Sequence, residues 1–251
     1  MVSFDIIGNI AILHMPKITK KEKQIARKLL KHKNILSVYN QSKTYGRLRK
    51  PKLKWIAGKK QTETIHKEND CLIKLDIKNC YFSPRLGTDR LEIAKKIKKG
   101  ERVLVMFSGV APYALVIGKK SKAEEIYCIE INRIASKYAR ENVKLNKLNN
   151  IKIIQGDVKR VIPKLKKRFD RIVMARPQLK DTFLQQAFKA SKKGSMIHFY
   201  DFLKKQNIKD ARRKIEKEAK NIKKKVKIQR LKKVREIAPY KYHIRVDFRI
   251  I

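Results

Sequence analysis

From Glu101 onward the chain alternates short apolar runs with amphipathic stretches, and this alternation narrows the fold more than any other feature. The first run, over 103–107, passes straight into a turn of small residues: Ser108, Gly109, Val110, Ala111 and Pro112. The second ends in an acid, Glu130, and the third in Gly156 and Asp157. Near-continuous apolar strands, each followed by a helical pattern, are what a parallel sheet covered on both faces requires. Strands are predicted over 103–107, 126–129, 151–154, 171–175 and 195–200, with helices over 112–118, 134–145, 158–165, 183–189 and 209–223. Two closing strands, 226–234 and 242–250, join around Pro239 and Tyr240, and the last is expected to run antiparallel. The predicted architecture is a Rossmann-like, doubly wound α/β sheet with a terminal antiparallel hairpin.

The opening third lacks this rhythm. Residues 2–14 read as two strands hinged at Gly8 and Asn9, and 20–31 as a helix with Ile25, Leu29 and Leu30 on one face. Short strands follow over 35–39, 53–57 and 71–77, then a helix over 88–98 that Gly100 stops. We therefore expect a small α+β domain over 1–87, contacting RNA or substrate, and the larger α/β domain over 88–251.

Charge narrows the partner. Lys and Arg total 66 against 22 acids, a formal net charge of +44. Such an excess repels itself in a compact chain, and a polyanion offsets it through counterion release. The alternative source is a lysine-rich genome that colours every protein, and the lysine runs at 223–225 and 232–233 read as solvated faces. No run approaches the roughly 20 apolar residues that span a bilayer, and Met1, Val2 and Ser3 open no secretory signal. Cys71, Cys80 and Cys128 are odd in number and lack CxxC spacing, which points to a reducing, cytoplasmic setting without disulfides or zinc.

The chemistry-bearing residues sit at strand ends. A turn at the carboxyl end of the first strand, from Phe107 through Gly109, opens a crevice where a ligand meets bare amides. Glu130, ending the second strand, can accept both hydroxyls of a ribose, and Asp157, ending the third, can hold an adenine amino group. Either acid alone is equally a helix N-cap; the two in this order favour an adenosine-bearing cofactor. Upstream, Tyr81, Phe82, Arg85, Asp89 and Arg90 fall within ten residues, with Thr88 and Asp89 also suited to cap a helix. Arg47 and Arg49 flank Leu48 on strand-like spacing and project to one side, for phosphate contact or plain solvation.

Six segments recur in one order: 8–11 (GNIA), 62–69 (TETIHKEN), 82–86 (FSPRL), 141–146 (ENVKLN), 197–200 (IHFY) and 238–240 (APY). In these the chain resembles the archaeal and eukaryotic tRNA (guanine-37-N1)-methyltransferases, of the class I S-adenosylmethionine-dependent type, from about residue 2 to the C-terminus. The resemblance implies methyl transfer from S-adenosylmethionine to N1 of guanosine in the tRNA anticodon loop, without a metal. It implies that Arg49 supports the guanine O6 and that Asp89, where the family has glutamate, is the general base. It places Tyr81, Arg85 and Arg90 on the cofactor side, beside Phe107 and Gly109 of the turn. Glu130 with Ile131, and Asp157 with Val158, would hold ribose and adenine, and Pro177 belongs to the family's Asn-x-Pro loop. The family usually carries a further N-terminal domain, which this chain is expected to lack, and a monomer is favoured.

Four positions depart from the family: Ala175 for the Asn of Asn-x-Pro, Val105 for an acid ending the first strand, Ala111 for a usual glycine, and Asp89 for glutamate. They leave two alternatives to an active methyltransferase. One is a catalytically degenerate homologue that binds tRNA. The other is a wyosine-pathway enzyme transferring the aminocarboxypropyl group of the same cofactor, which the arginine of the 82–86 segment argues against.

Overall fold

The computed structural model describes residues 3–15, 20–46, 50–176, 181–204 and 207–251. Its first unit is a four-stranded sheet, β1 (Phe4–Ile7), β2 (Ile10–Leu13), β3 (Ser37–Tyr45) and β4 (Lys50–Gly58), in that spatial order. Helix α1 (Lys20–Leu30) crosses between the parallel strands β2 and β3, and lays Ala26 and Leu29 against Leu13, Ile35 and Val38. A separate hairpin follows, β5 (Glu63–Glu68) and β6 (Cys71–Asp76), then a 3-10 turn (Pro84–Leu86) leading into α2 (Gly87–Lys95).

The rest alternates strand and helix. The elements are β7 (Arg102–Met106), α3 (Pro112–Lys120), β8 (Glu125–Glu130), α4 (Arg133–Leu145), β9 (Ile151–Gln155), α5 (Val158–Val161), β10 (Phe169–Met174), α6 (Leu184–Ala190), β11 (Ser191–Lys204), α7 (Ile208–Asn221), β12 (Val226–Ala238) and β13 (Lys241–Ile250). The seven strands form one sheet in the order β12-β13-β11-β10-β7-β8-β9. All neighbours from β9 to β11 are parallel; β13 runs antiparallel to both β11 and β12.

Each apolar strand serves two cores, because successive side chains point to opposite faces. Val103, Val105, Ile126 and Cys128 enter one core with α2, α3 and α4; Leu104, Met106, Tyr127 and Ile129 enter the other with α6 and α7. The order reverses at β7, whose neighbours are β10 and β8, so the helices that follow β7 and β10 leave on opposite faces and a crevice opens at their carboxyl ends.

The expected strands and helices lie where the periodicity put them, and β5 is the exception. Its residues, Glu-Thr-Ile-His-Lys-Glu, bury only Thr64, so no apolar alternation marks them. Side-chain amides from outside the hairpin hold it instead. Asn142 on α4 accepts from Lys74 N (2.7 Å) and donates to Lys74 O (2.9 Å), and Asn146 does the same with Leu72 N (2.8 Å) and Leu72 O (2.7 Å). Spaced one helical turn apart, these amides act as a substitute neighbouring strand for β6. The opposite end is pinned by the β1–β2 turn. Gly8 N donates to His66 Nδ1 (3.2 Å), Asn9 N donates to Thr64 Oγ1 (3.1 Å), and a Cβ on Gly8 would lie 2.5 Å from the Ile65 carbonyl oxygen.

Candidate active site

The crevice at the end of β7 is a cleft of about 720 Å³, counting the open solvent at its mouth. Its turn is unusual backbone: Phe107 (φ 60°), Gly109 (φ 58°) and Ala111 (φ 68°) all lie in the left-handed region. For Phe107 and Ala111 this conformation costs about 1–2 kcal/mol each. Main chain and small side chains therefore form this wall, and Pro112 starts α3 where a helix has an amide to spare.

Glu130 is the best-defined group in the cleft. It ends β8 on the same face as Ile126 and Cys128 and is 8% exposed. Gly109 N donates to its Oε2 (2.8 Å) and Asn132 N donates to its Oε1 (2.7 Å). Burial raises its pKa, and those two amides with the Arg176 charge oppose the rise. The Ile131 amide adds to this set, and the carboxylate keeps acceptor capacity toward the cleft for an incoming hydroxyl of a diol. Asn132 also caps α4, its Oδ1 accepting from Ile134 N (3.0 Å) and Ala135 N (3.3 Å), so the loop carrying the clamp is rigid.

A narrower slot adjoins the cleft, sharing Phe107 and Arg176 in its wall. Ile129, Ile131, Val158 and Phe183 make it apolar, and Asp157 stands at its edge. The Phe183 ring packs edge-on to Phe107, with centroids 5.1 Å apart. Asp157 caps α5 through Lys159 N (2.9 Å), so it serves the helix and remains beside the slot. A diol clamp next to a flat apolar slot with an acid at its rim fits an adenosine moiety.

Of the candidate residues, Tyr81, Arg90, Phe107, Gly109 and Glu130 line the cleft, and Ile131, Asp157 and Val158 line the slot or its mouth. Arg90 is held bidentate by Glu68, with Nε 2.6 Å from Oε1, and Nη2 donates to Ser83 O (3.0 Å). Arg85 is not brought to the cleft. It points from the 3-10 turn toward the first strand, donating to Asp5 Oδ1 (2.5 Å) and Ser3 Oγ (3.0 Å), because Asp5 offers the only carboxylate paired with it among the described residues. Arg49 and Pro177 lie outside the described residues.

Asp89 is 3% exposed and sits behind the cleft wall. Its Oδ1 accepts from Arg245 Nη1, and its Oδ2 accepts from the hydroxyls of Tyr200 (2.5 Å) and Tyr113 (2.9 Å). Arg245 in turn binds Glu92 (Nη2, 2.6 Å) and Asp247 (Nε, 2.8 Å). The chain continues through Asp247 Oδ1 to His198 Nδ1 (2.6 Å), then from His198 Nε2 to Arg171 Nη1 (2.9 Å) and from Arg171 Nε to Glu101 Oε2 (2.7 Å). Residue order alone assigns Tyr113, Tyr200, Arg245 and Asp247 no role. One signal was available: His243, Arg245 and Asp247 recur at period 2 on a strand whose other face, Ile244, Val246 and Phe248, is wholly apolar. Charges facing inward on a core strand must be paired.

A family model described as TRM5/TYW2 methyltransferase domain matches residues 64–229, and one described as TYW2 N-terminal domain matches residues 1–62. The chain is 40% identical over 252 residues to tRNA (guanine(37)-N(1))-methyltransferase Trm5b of Pyrococcus abyssi, spanning 99% of this chain and 74% of that protein. Its fold matches that of aTrm5 in a complex with tRNALeu, with a TM-score of 0.88 at 31% identity over 99% of this chain and 72% of the other. It also matches Methanocaldococcus jannaschii Trm5 in complex with adenosine, with a TM-score of 0.84 at 31% identity over 99% and 74% of the two chains. Fold and sequence agree over nearly the whole length, and the chain belongs to the TRM5/TYW2 methyltransferase family.

Proposed function

We propose that this protein transfers a methyl group from S-adenosylmethionine to N1 of the guanosine at position 37 of tRNA, the reaction for which its relative Trm5b is named. The observation that carries this reading is the Glu130 carboxylate, presented by Gly109 N and Asn132 N at the mouth of the cleft where the strand order reverses. S-adenosylmethionine, when bound, supplies an electrophilic methyl on a sulfonium. Glu130 holds the ribose, the Ile131–Asp157–Val158 slot takes the adenine, and Tyr81, Phe107 and Arg90 close the cleft around the remainder.

The protein's chemical task is a proton. Guanine N1 carries one at neutral pH, and its lone pair becomes nucleophilic as that proton leaves and charge shifts toward O6. We assign Asp89 as the proton acceptor and Arg49 as the cation at O6, a pairing worth about 100-fold or more from the base alone. The net charge of +44 supports delivery of tRNA to the cleft. Residues 1–87 form the RNA-contacting part of the chain and 88–251 the transferase part, acting as a monomer in the cytoplasm; three buried, free cysteines fit such a reducing setting.

The test is incubation with unmodified tRNA bearing guanosine 37 and methyl-labelled cofactor, followed by digestion to nucleosides. Labelled 1-methylguanosine is expected. Binding of tRNA with no transfer, or an unlabelled aminocarboxypropyl group on the nucleoside with the methyl label left on methylthioadenosine, would overturn the assignment.

A further inference from the structure

Asp89 does not line the cleft, yet it is the carboxylate assigned to take the substrate proton. Its Oδ1 is occupied by Arg245, and its Oδ2 receives two tyrosine hydroxyls. Of those two tyrosines only Tyr113 lines the cleft; Tyr200 lies behind it, with its hydroxyl 3.1 Å from that of Tyr113. Arg90, which also lines the cleft, lies over the Tyr113 ring at 5.7 Å. Aspartate is also one methylene shorter than the glutamate the resemblance leads one to expect, so its carboxylate reaches less far.

We propose that the Tyr113 hydroxyl is a catalytic relay that carries the guanine N1 proton to Asp89. This rests on the assignment of Asp89 as the base. As the N1–H bond breaks, its proton passes to Tyr113 Oη, and the original Tyr113 proton passes to Asp89 Oδ2. The N1 electron pair forms the bond to the methyl carbon, and the carbon–sulfur pair returns to sulfur, leaving a neutral thioether. Tyr113 ends as it began, Asp89 ends protonated, and charge balances because the sulfonium cation and the carboxylate anion are both neutralised. Donating its own proton to Oδ2 leaves the Tyr113 oxygen with lone pairs to receive another. Tyr200, donating to the same Oδ2, is a positioning residue, and Arg245 holds Oδ1.

The experiment is single-turnover methylation of guanosine-37 tRNA, with cofactor and tRNA affinities measured separately by calorimetry. Tyr113→Phe keeps the ring and removes the hydroxyl. Its rate should fall about 100-fold, as expected for losing general-base transfer, with both affinities unchanged. Asp89→Asn should fall as far, and the double variant no further, because both act on one proton path. Adding Asp89→Glu to Tyr113→Phe restores the missing reach and should bring the rate back to within about tenfold of wild type. A Tyr113→Phe rate within about threefold of wild type overturns the relay, and so does an absence of rescue by glutamate. If Asp89→Asn turns over normally, the base assignment itself fails, a result distinct from failure of the relay alone. Should Tyr113→Phe fold poorly, the wild-type protein decides: its rate in mixed light and heavy water should follow a curved, two-proton dependence, and a straight line excludes a relay.

Discussion

At the scale of single residues, Glu130 is the position where local geometry and ligand binding meet most tightly. Two backbone amides are satisfied by its two oxygens, so no neutral side chain of the same shape can replace it. In Glu130→Gln, one of those amides would face an NH₂ group, donor against donor. Hydrogen bonds to a charged group contribute about 1.5–3 kcal/mol each. Glu130→Gln should therefore weaken S-adenosylmethionine binding about 10- to 100-fold by calorimetry. An affinity within about threefold of wild type would remove Glu130 from the ribose site. Ala111 shows two opposing effects at one position. Its left-handed φ costs about 1–2 kcal/mol, and its fully buried methyl returns about 0.8 kcal/mol of that. Alanine is thus tolerated where glycine is usual.

At the scale of elements, the six segments that carry the family resemblance are mostly joints. The 8–11 and 62–69 segments lock together through Gly8, Asn9, Thr64 and His66. The 141–146 segment places Asn142 on α4 and Asn146 at its C-cap, one turn on, to pair the open edge of β6. Glu68, at the end of β5, then reaches Arg90 in the cleft wall, so the hairpin's position affects the site. Asn142→Ala would strip partners from Lys74 N, Lys74 O and Val110 O. Leaving such groups unpaired costs about 1–3 kcal/mol each when they are buried. Chemical denaturation should show a loss of about 3 kcal/mol. A loss under about 0.5 kcal/mol would mean that the β6 edge is held by something else.

Across the whole molecule, charge is arranged in two ways. Most of the cationic excess is outward, where it attracts a polyanion. A smaller set is buried between α2, β11 and β13 as the chain from Asp89 to Glu101, and it makes the fold sensitive to acid. Burial lowers the pKa of His198, although the bond to Asp247 opposes this. The unfolded chain therefore takes up that proton first, and stability begins to fall as pH drops below about 6.5. Burial works to raise Glu92, but Lys232, Arg245 and Lys96 outweigh it and hold it at about 2. Asp247, likewise desolvated, is held well below the usual carboxylate range by His198 and Arg245. These two contributions are complete above about pH 4.5 and are lost as pH falls through the depressed values. Melting temperature should accordingly decline below about pH 6.5 and more steeply below about pH 4.5. His198→Gln should abolish the upper phase and keep the lower one. A melting temperature flat from pH 7 to pH 5 in wild type would rule out a buried neutral His198.

The order of strands and helices, the crevice at β7 and the two strand-end acids were legible from residue order alone. Apolar periodicity is a local property, and a parallel sheet forces its ligand to the carboxyl ends of particular strands. The β5–β6 hairpin and the surroundings of Asp89 were not legible. The first is held by asparagines 68 and 74 positions away, and the second by Tyr113, Tyr200 and Arg245, which lie 24, 111 and 156 positions from Asp89. No periodicity links residues so far apart. Their meeting follows from strand order and from the need of buried charges for partners, and both exist only once the chain has folded.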